Sequence, residues 1–182
     1  NAAEAAAAAK AVGVPYEVAR QGIATVTDIP GRFDVIQRNG KQVVIDYAVT
    51  PAAMKQLYTT IRQRGAKKII AVFGAAGGGR DRWKRPELGA TAEQLTDHII
   101  LTTEDPFDED PQIIADQILK GIVNQEKVEV MLDRTAAIQR ALEIANDGDV
   151  IALTGMGSET SMNVAGGRQI PWSDKDVVGD QL

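Results

Sequence analysis

Five short apolar runs recur along this chain: KQVVIDYA, KKIIAVFG, HIILTT, VEVMLD and DVIALTG. Segments with a helical period lie between them. PAAMKQLYTTIRQRG puts Met54, Leu57, Tyr58 and Ile61 on one face, opened by Pro51 and ended by Gly65. PELGATAEQLT, DPQIIADQILKGIV and RTAAIQRALEIAN fill the later gaps. KKIIAVFG is apolar along nearly its whole length, as a strand covered on both faces must be. This alternation leaves few architectures open. It predicts an α/β fold, a doubly wound, mostly parallel Rossmann-like sheet. RFDVIQ, joined to KQVVIDYA through RNGK, reads as a hairpin that adds an antiparallel edge. SDKDVVGDQL closes the chain as a short helix.

Ahead of the first strand the pattern differs. AAEAAAAAKAV is almost all alanine, the strongest helix former, and ends at Gly13 and Pro15. PYEVARQGIATV reads as a second helix opened by Pro15. TDIPGRF then breaks the periodicity, and Pro30 with Gly31 makes a natural joint. We expect a helical tail over residues 1–30 and an α/β domain over residues 31–182. The chain opens in mid-helix without Met, so a fragment of a longer protein is expected.

Composition narrows the function classes. A net charge of −5 argues against nucleic acid as a partner. The absence of cysteine excludes disulfides, thiol nucleophiles and Cys-based zinc sites. The single histidine, His98, leaves no cluster for a metal, and its place at a strand start gives it no catalytic role. No apolar run approaches the roughly 20 residues of a membrane span. A cytoplasmic location is expected.

Ligands of doubly wound sheets bind beyond the carboxyl ends of the strands. Four segments fall there: DYAVTP, GAAGGGRDRWKRP, TTEDPFDED and TGMGSET. The glycine loop lacks the Lys and Ser/Thr of a P-loop, and its spacing is not G-x-G-x-x-G. It reads instead as a flexible turn delivering Arg80, Arg82, Lys84 and Arg85, or as a plain solvated basic loop. Arginine suits bidentate grip on carboxylate or phosphate. In the acidic loop, Asp110 precedes Pro111 as a helix cap, while Glu104 and Asp105, nearer the strand end, could face an ammonium group. Glu159 could bind an amine, and Asp46 a ribose hydroxyl, unless Asp46 merely forms a turn. Trp83 and Trp172 read as packing or loop anchors.

Taken together, the ordered motifs P-G-R-F, D-Y-A-x-T-P, F-G-x-x-G-G-x-R-D-x-x-K-R-P, x-D-P and G-x-G-x-E resemble the Mur ligases of peptidoglycan synthesis. The similarity is greatest to the MurE type, which adds the third residue of the stem peptide to UDP-MurNAc-L-Ala-D-Glu. The resemblance covers nearly the whole chain. It implies an ATP- and Mg²⁺-dependent amide-forming ligase, with UDP-MurNAc-dipeptide and a free amino acid as partners. Residues 1–30 would end the central ATPase domain, and the rest would be the C-terminal domain. The N-terminal and central domains, with the P-loop and Mg²⁺ ligands, would lie outside this chain. No catalytic residue is then expected within it. By the same resemblance Asn1, Arg32 and Asp46 would contact ATP. Arg80 would hold the amino acid's carboxylate, and Gly155 and Glu159 its far end.

The chain departs from the family pattern at several positions. Val49 replaces the histidine of D-Y-A-H-T-P, and Met156 and Ser158 replace the lysine and histidine of G-K-G-H-E. Phe107 stands where diaminopimelate-adding members carry the arginine of D-N-P-R, and extra acids surround it. The glycine loop carries one extra residue between Gly74 and Arg80. Glu104, Asp105 and Asp108 would repel a distal carboxylate and favour a bare ammonium. Lysine or another basic amino acid is therefore expected over meso-diaminopimelate, unless Arg82 or Arg85 replaces the missing arginine. Cyanophycin- or folylpolyglutamate-type ligases remain open, as does a non-catalytic module binding nucleotide or amino acid.

Overall fold

The computed structural model describes residues 2–38 and 40–181. Asn1, Asn39 and Leu182 lie outside these. β1 (Asp34–Arg38) and β2 (Lys41–Asp46) form the expected antiparallel hairpin, with Arg38 opposite Lys41. β3 (Ile69–Phe73), β4 (His98–Leu101), β5 (Val128–Val130) and β6 (Val150–Thr154) complete a six-stranded sheet of order β1-β2-β6-β3-β4-β5. Every pairing after the first is parallel. The last strand returns to the middle, between β2 and β3. Its carboxyl end therefore lies among the others, with Thr154 opposite Asp46.

Helices cover both faces. α3 (Pro51–Gln63), α4 (Lys84–Leu95) and α5 (Pro111–Leu119) pack on one side, α6 (Arg134–Ile144) and α7 (Asp174–Gln181) on the other. All residues of β3 and β6 are buried, which is why both read as unbroken apolar runs. Met54, Leu57, Tyr58 and Ile61 are the buried face of α3, whose first turn is capped by the Thr50 hydroxyl accepting from the Ala53 amide. Asp110 caps α5 and Asp133 caps α6 in the same way. These caps start helices just beyond strand ends and so set the lengths of the loops at that edge.

α1 (Ala2–Ala11) and α2 (Tyr16–Ala24) bury no residue. Val12, Tyr16, Val18, Val26 and Ile29 stay exposed on and after them. A second small sheet, β7 (Ser161–Val164) with β8 (Arg168–Pro171), occupies a stretch where the sequence suggested no element. Only Met162 of this hairpin is buried, and each strand is four residues long, too short for its pattern to stand out in the sequence. Its support comes from elsewhere: Phe107 pairs with Val164 as an isolated parallel bridge. No helix among the described residues is long and apolar enough to cross a membrane.

Candidate functional site

The carboxyl ends of β2, β3, β4 and β6 bring the four loops together, and the hinge segment before β1 joins them. Asp46, at the end of β2, accepts the Phe33 amide at 2.8 Å and so ties the hinge to the sheet. Gly31 packs against the backbone of Gly157 and Ser158 so closely that a Cβ would collide with them. Arg32 follows, its guanidinium 4.4 Å from the centroid of the Tyr47 ring. Among the described residues Arg32 has no carboxylate partner.

The glycine loop lies directly on the acidic loop. The Gly77 amide donates to the Asp105 carbonyl at 2.8 Å, and a Cβ at Gly77 would overlap the Pro106 carbonyl. The Gly79 amide donates to Glu109 at 2.8 Å. Arg85 is fully buried and binds Glu109, Gln117 and the Ala76 carbonyl. Arg85, the Gly79 amide and Arg82 together hold the Glu109 carboxyl well below its usual range, at about 2. The glycines thus serve close backbone packing, and Arg80 is left exposed at the tip without a carboxylate partner among the described residues.

Acids of the 104–110 loop do different jobs from one another. Asp105 accepts the Asn163 amide at 2.7 Å and Asp108 accepts the Gly166 amide at 2.7 Å, so both pin the β7–β8 hairpin. Asp110 caps α5, as expected. Asp105 and Asp108 each give one oxygen to a backbone amide that the sequence did not reveal, so the loop's acids are not simply a row of free carboxylates. Arg85 is likewise not available as a replacement for the missing arginine, and Arg82 pairs with Glu109 at 3.3 Å.

Glu104 stands apart. It is 6% exposed and forms no hydrogen bond or ion pair among the described residues, and its carboxylate abuts Gly155 where a Cβ would sit. Burial raises its carboxyl to about 7; the Arg134 charge opposes that shift and the Asp105 charge adds to it. Tyr47 marks where the loops meet. Its hydroxyl is raised first by burial, then by Glu159 and Glu104, and lowered by Arg80 and Arg32. One phenol thus feels side chains from the hinge, the glycine loop, the acidic loop and the last loop.

Strain concentrates in the same place. Among the described residues, the non-glycine residues with left-handed backbone are Phe33, Asp81, Asp105 and Phe107, all in the hinge or in these loops. Phe107, at φ 52°, stacks on Gly78 and lines a cavity of about 470 Å³ between the acidic loop, the start of α6 and the hairpin. Met156 is buried and Ser158 exposed, so neither departure introduces a new charge at the junction. His98 sits at the opposite edge, bonded to Glu129 at 2.8 Å, and Trp172 donates to Asp174 at 2.8 Å. Sequence reasoning missed Tyr47 and Arg134. The tyrosine stands inside a quoted motif, but nothing in the order of residues signals that Arg32 lies over its ring or that charges from three other loops act on its hydroxyl.

The model of the Mur ligase, glutamate ligase domain, matches residues 31–157. The chain belongs to the Mur ligase family. Among similar proteins, the UDP-N-acetylmuramoyl-L-alanyl-D-glutamate--2,6-diaminopimelate ligase of Aquifex aeolicus is 43% identical over 155 residues, covering 85% of this chain and 32% of the relative. Its counterpart in Alkalilimnicola ehrlichii is 38% identical over 97% of this chain and 35% of its own length. A solved structure of a ligase with the same name superposes with a TM-score of 0.78 at 30% identity, over 97% of this chain and 36% of that one. The bifunctional folylpolyglutamate synthase/dihydrofolate synthase of Yersinia pestis, solved with AMPPNP and a manganese ion, reaches a TM-score of 0.60 at 24% identity over 78% of this chain and 32% of that one. That likeness is one of fold. The chain spans about a third of the length of the curated relatives it matches.

Proposed function

We propose that this chain is the amino-acid-binding part of an ATP-dependent ligase that adds the third residue to UDP-MurNAc-L-Ala-D-Glu. The observation that carries the reading is the junction at Tyr47: Arg32 lies 4.4 Å from its ring centroid, its hydroxyl feels the charges of Arg80, Glu104 and Glu159, and neither arginine has a carboxylate partner among the described residues. Arg80 would take the α-carboxylate of the incoming amino acid through paired donors. Glu159, exposed and without a side-chain partner among the described residues, would take its distal ammonium beside Gly155 and Glu104. Asp105 and Asp108 would act through the loop they stabilise.

ATP fits the hinge side. Arg32 offers an uncompensated guanidinium for phosphate, and Asp46 keeps one oxygen free for a ribose hydroxyl after bonding Phe33. Arg32 and Arg64 both line a cavity of about 460 Å³ there. When bound with Mg²⁺, ATP would supply the phosphoryl group that activates the substrate carboxylate. No group of three or more acids or histidines among the described residues is placed to hold a metal. The Mg²⁺ ligands, the P-loop and the UDP-sugar site are assigned to the remaining domains of the protein, so these 182 residues alone should release no ADP.

The added amino acid is proposed to be lysine or another basic one. The relatives' names say 2,6-diaminopimelate. Against that choice, Phe107 occupies the arginine position, and Arg82 and Arg85 are engaged with Glu109. Neither of these two guanidiniums would then be free to meet a distal carboxylate. ADP release by the full-length protein with ATP, Mg²⁺, UDP-MurNAc-L-Ala-D-Glu and each amino acid in turn tests both levels. Faster turnover with lysine is expected. Faster turnover with meso-diaminopimelate overturns the choice of amino acid, and no turnover with either overturns the ligase reading.

A further inference from the structure

We propose that Arg134 is a positioning residue that locks the acidic loop to the last loop, with Asp174 and Trp172 as its anchor. The proposal rests on the reading of Glu104 and Gly155 as parts of the amino-acid site. Arg134 opens α6, and its side chain is 1% exposed. Nη2 donates to the Thr154 carbonyl at 3.0 Å, and Nη1 donates to the Thr103 carbonyl at 3.4 Å. Those carbonyls belong to the residues immediately before Gly155 and Glu104. One guanidinium thus ties together the two chain segments whose next residues touch each other.

The guanidinium is itself held from behind. Nε and Nη2 donate to the two Asp174 oxygens at 2.8 and 2.7 Å. Asp174 is 1% exposed and also accepts the Trp172 indole N–H at 2.8 Å. The end of the β7–β8 hairpin and the start of α7 are thereby linked to the site through this guanidinium, beside the Trp172 amide that donates to the Thr160 carbonyl at 3.0 Å.

Stability alone does not require this arrangement. A buried ion pair is often no more stabilising than apolar residues of the same volume. What the pair adds here is direction: a planar fork with five donors serves one carboxylate and two carbonyls at once, which an ammonium cannot do in the same geometry. Arg134→Lys keeps the charge and loses the fork. Trp172→Phe keeps an aromatic ring but removes the N–H to Asp174 together with part of the ring volume.

The test uses the full-length ligase with its amino acid, and compares KM for the amino acid, KM for ATP and kcat. Arg134→Lys is expected to raise the amino-acid KM about tenfold or more while the ATP KM stays within about twofold. Trp172→Phe should shift the amino-acid KM in the same direction by a smaller factor, and it decides the matter if Arg134→Lys does not fold. A lower melting temperature with both KM values unchanged in the folded variant would make the contact purely structural and overturn the proposal. Wild-type protein that turns over no amino acid overturns the ligase reading and this proposal with it. Active wild type with unchanged variants overturns this proposal alone.

Discussion

Glu104 should make the domain less stable as the pH rises through neutrality. In the unfolded chain its carboxyl titrates near the ordinary 4.5; in the fold burial lifts it to about 7, with Arg134 opposing and Asp105 assisting. A raised carboxyl means that the folded state binds the proton more tightly than the unfolded state. The penalty is absent below about pH 4.5, grows between there and about pH 7, and is complete above. Each tenfold change in proton affinity is worth about 1.4 kcal/mol, so the full penalty is about 3 kcal/mol. Glu104→Gln removes the ionisation and keeps the shape. Urea unfolding of both proteins, followed by tryptophan fluorescence from about pH 5 to about pH 8.5, measures the effect. The variant should gain stability relative to wild type as pH rises, by up to about 3 kcal/mol. A difference that does not change with pH would refute the reasoning, because it would show that Glu104 ionises in the fold as easily as in the unfolded chain.

Gly77→Ala should destabilise the domain by about 1–3 kcal/mol in thermal unfolding, since the added Cβ overlaps the Pro106 carbonyl and forces the two loops apart. Arg80→Ala should leave the melting temperature unchanged, its side chain being exposed, yet raise the amino-acid KM of the full-length ligase about 10- to 100-fold through loss of a charged, paired hydrogen bond. Glu109 has its carboxyl lowered to about 2, chiefly by Arg85, so its stabilisation is present above about pH 4.5 and is lost as pH falls towards 2. Acid titration of Glu109→Gln should show a shallower loss of stability over that window than wild type.

The sheet was legible because its strands are buried on both faces: IIAVF and VIALT cannot be solvent-facing strands or surface helices. Pro51, Asp110 and the face of α3 were legible because capping and the helical period act over a few neighbouring residues. Residues near the strand ends were legible as site candidates for the same topological reason. What each carboxylate does there was not. Asp105, Asp108 and Glu109 look alike in sequence, yet they bond respectively to Asn163, Gly166 and Arg85, partners between 24 and 58 residues away along the chain. The β7–β8 hairpin escaped notice because its pairing with Phe107 and the loop acids, rather than an apolar face, holds it in place. Arg134 escaped because a buried arginine at a helix start is indistinguishable in sequence from an exposed one.

A crystal structure of the full-length protein with its amino acid bound tests the central claim most directly. The account predicts the α-carboxylate on the Arg80 guanidinium and the distal ammonium at Glu159, beside Gly155 and Tyr47. An amino acid seated instead in the cavity between Phe107 and the β7–β8 hairpin, away from Arg80, would contradict it.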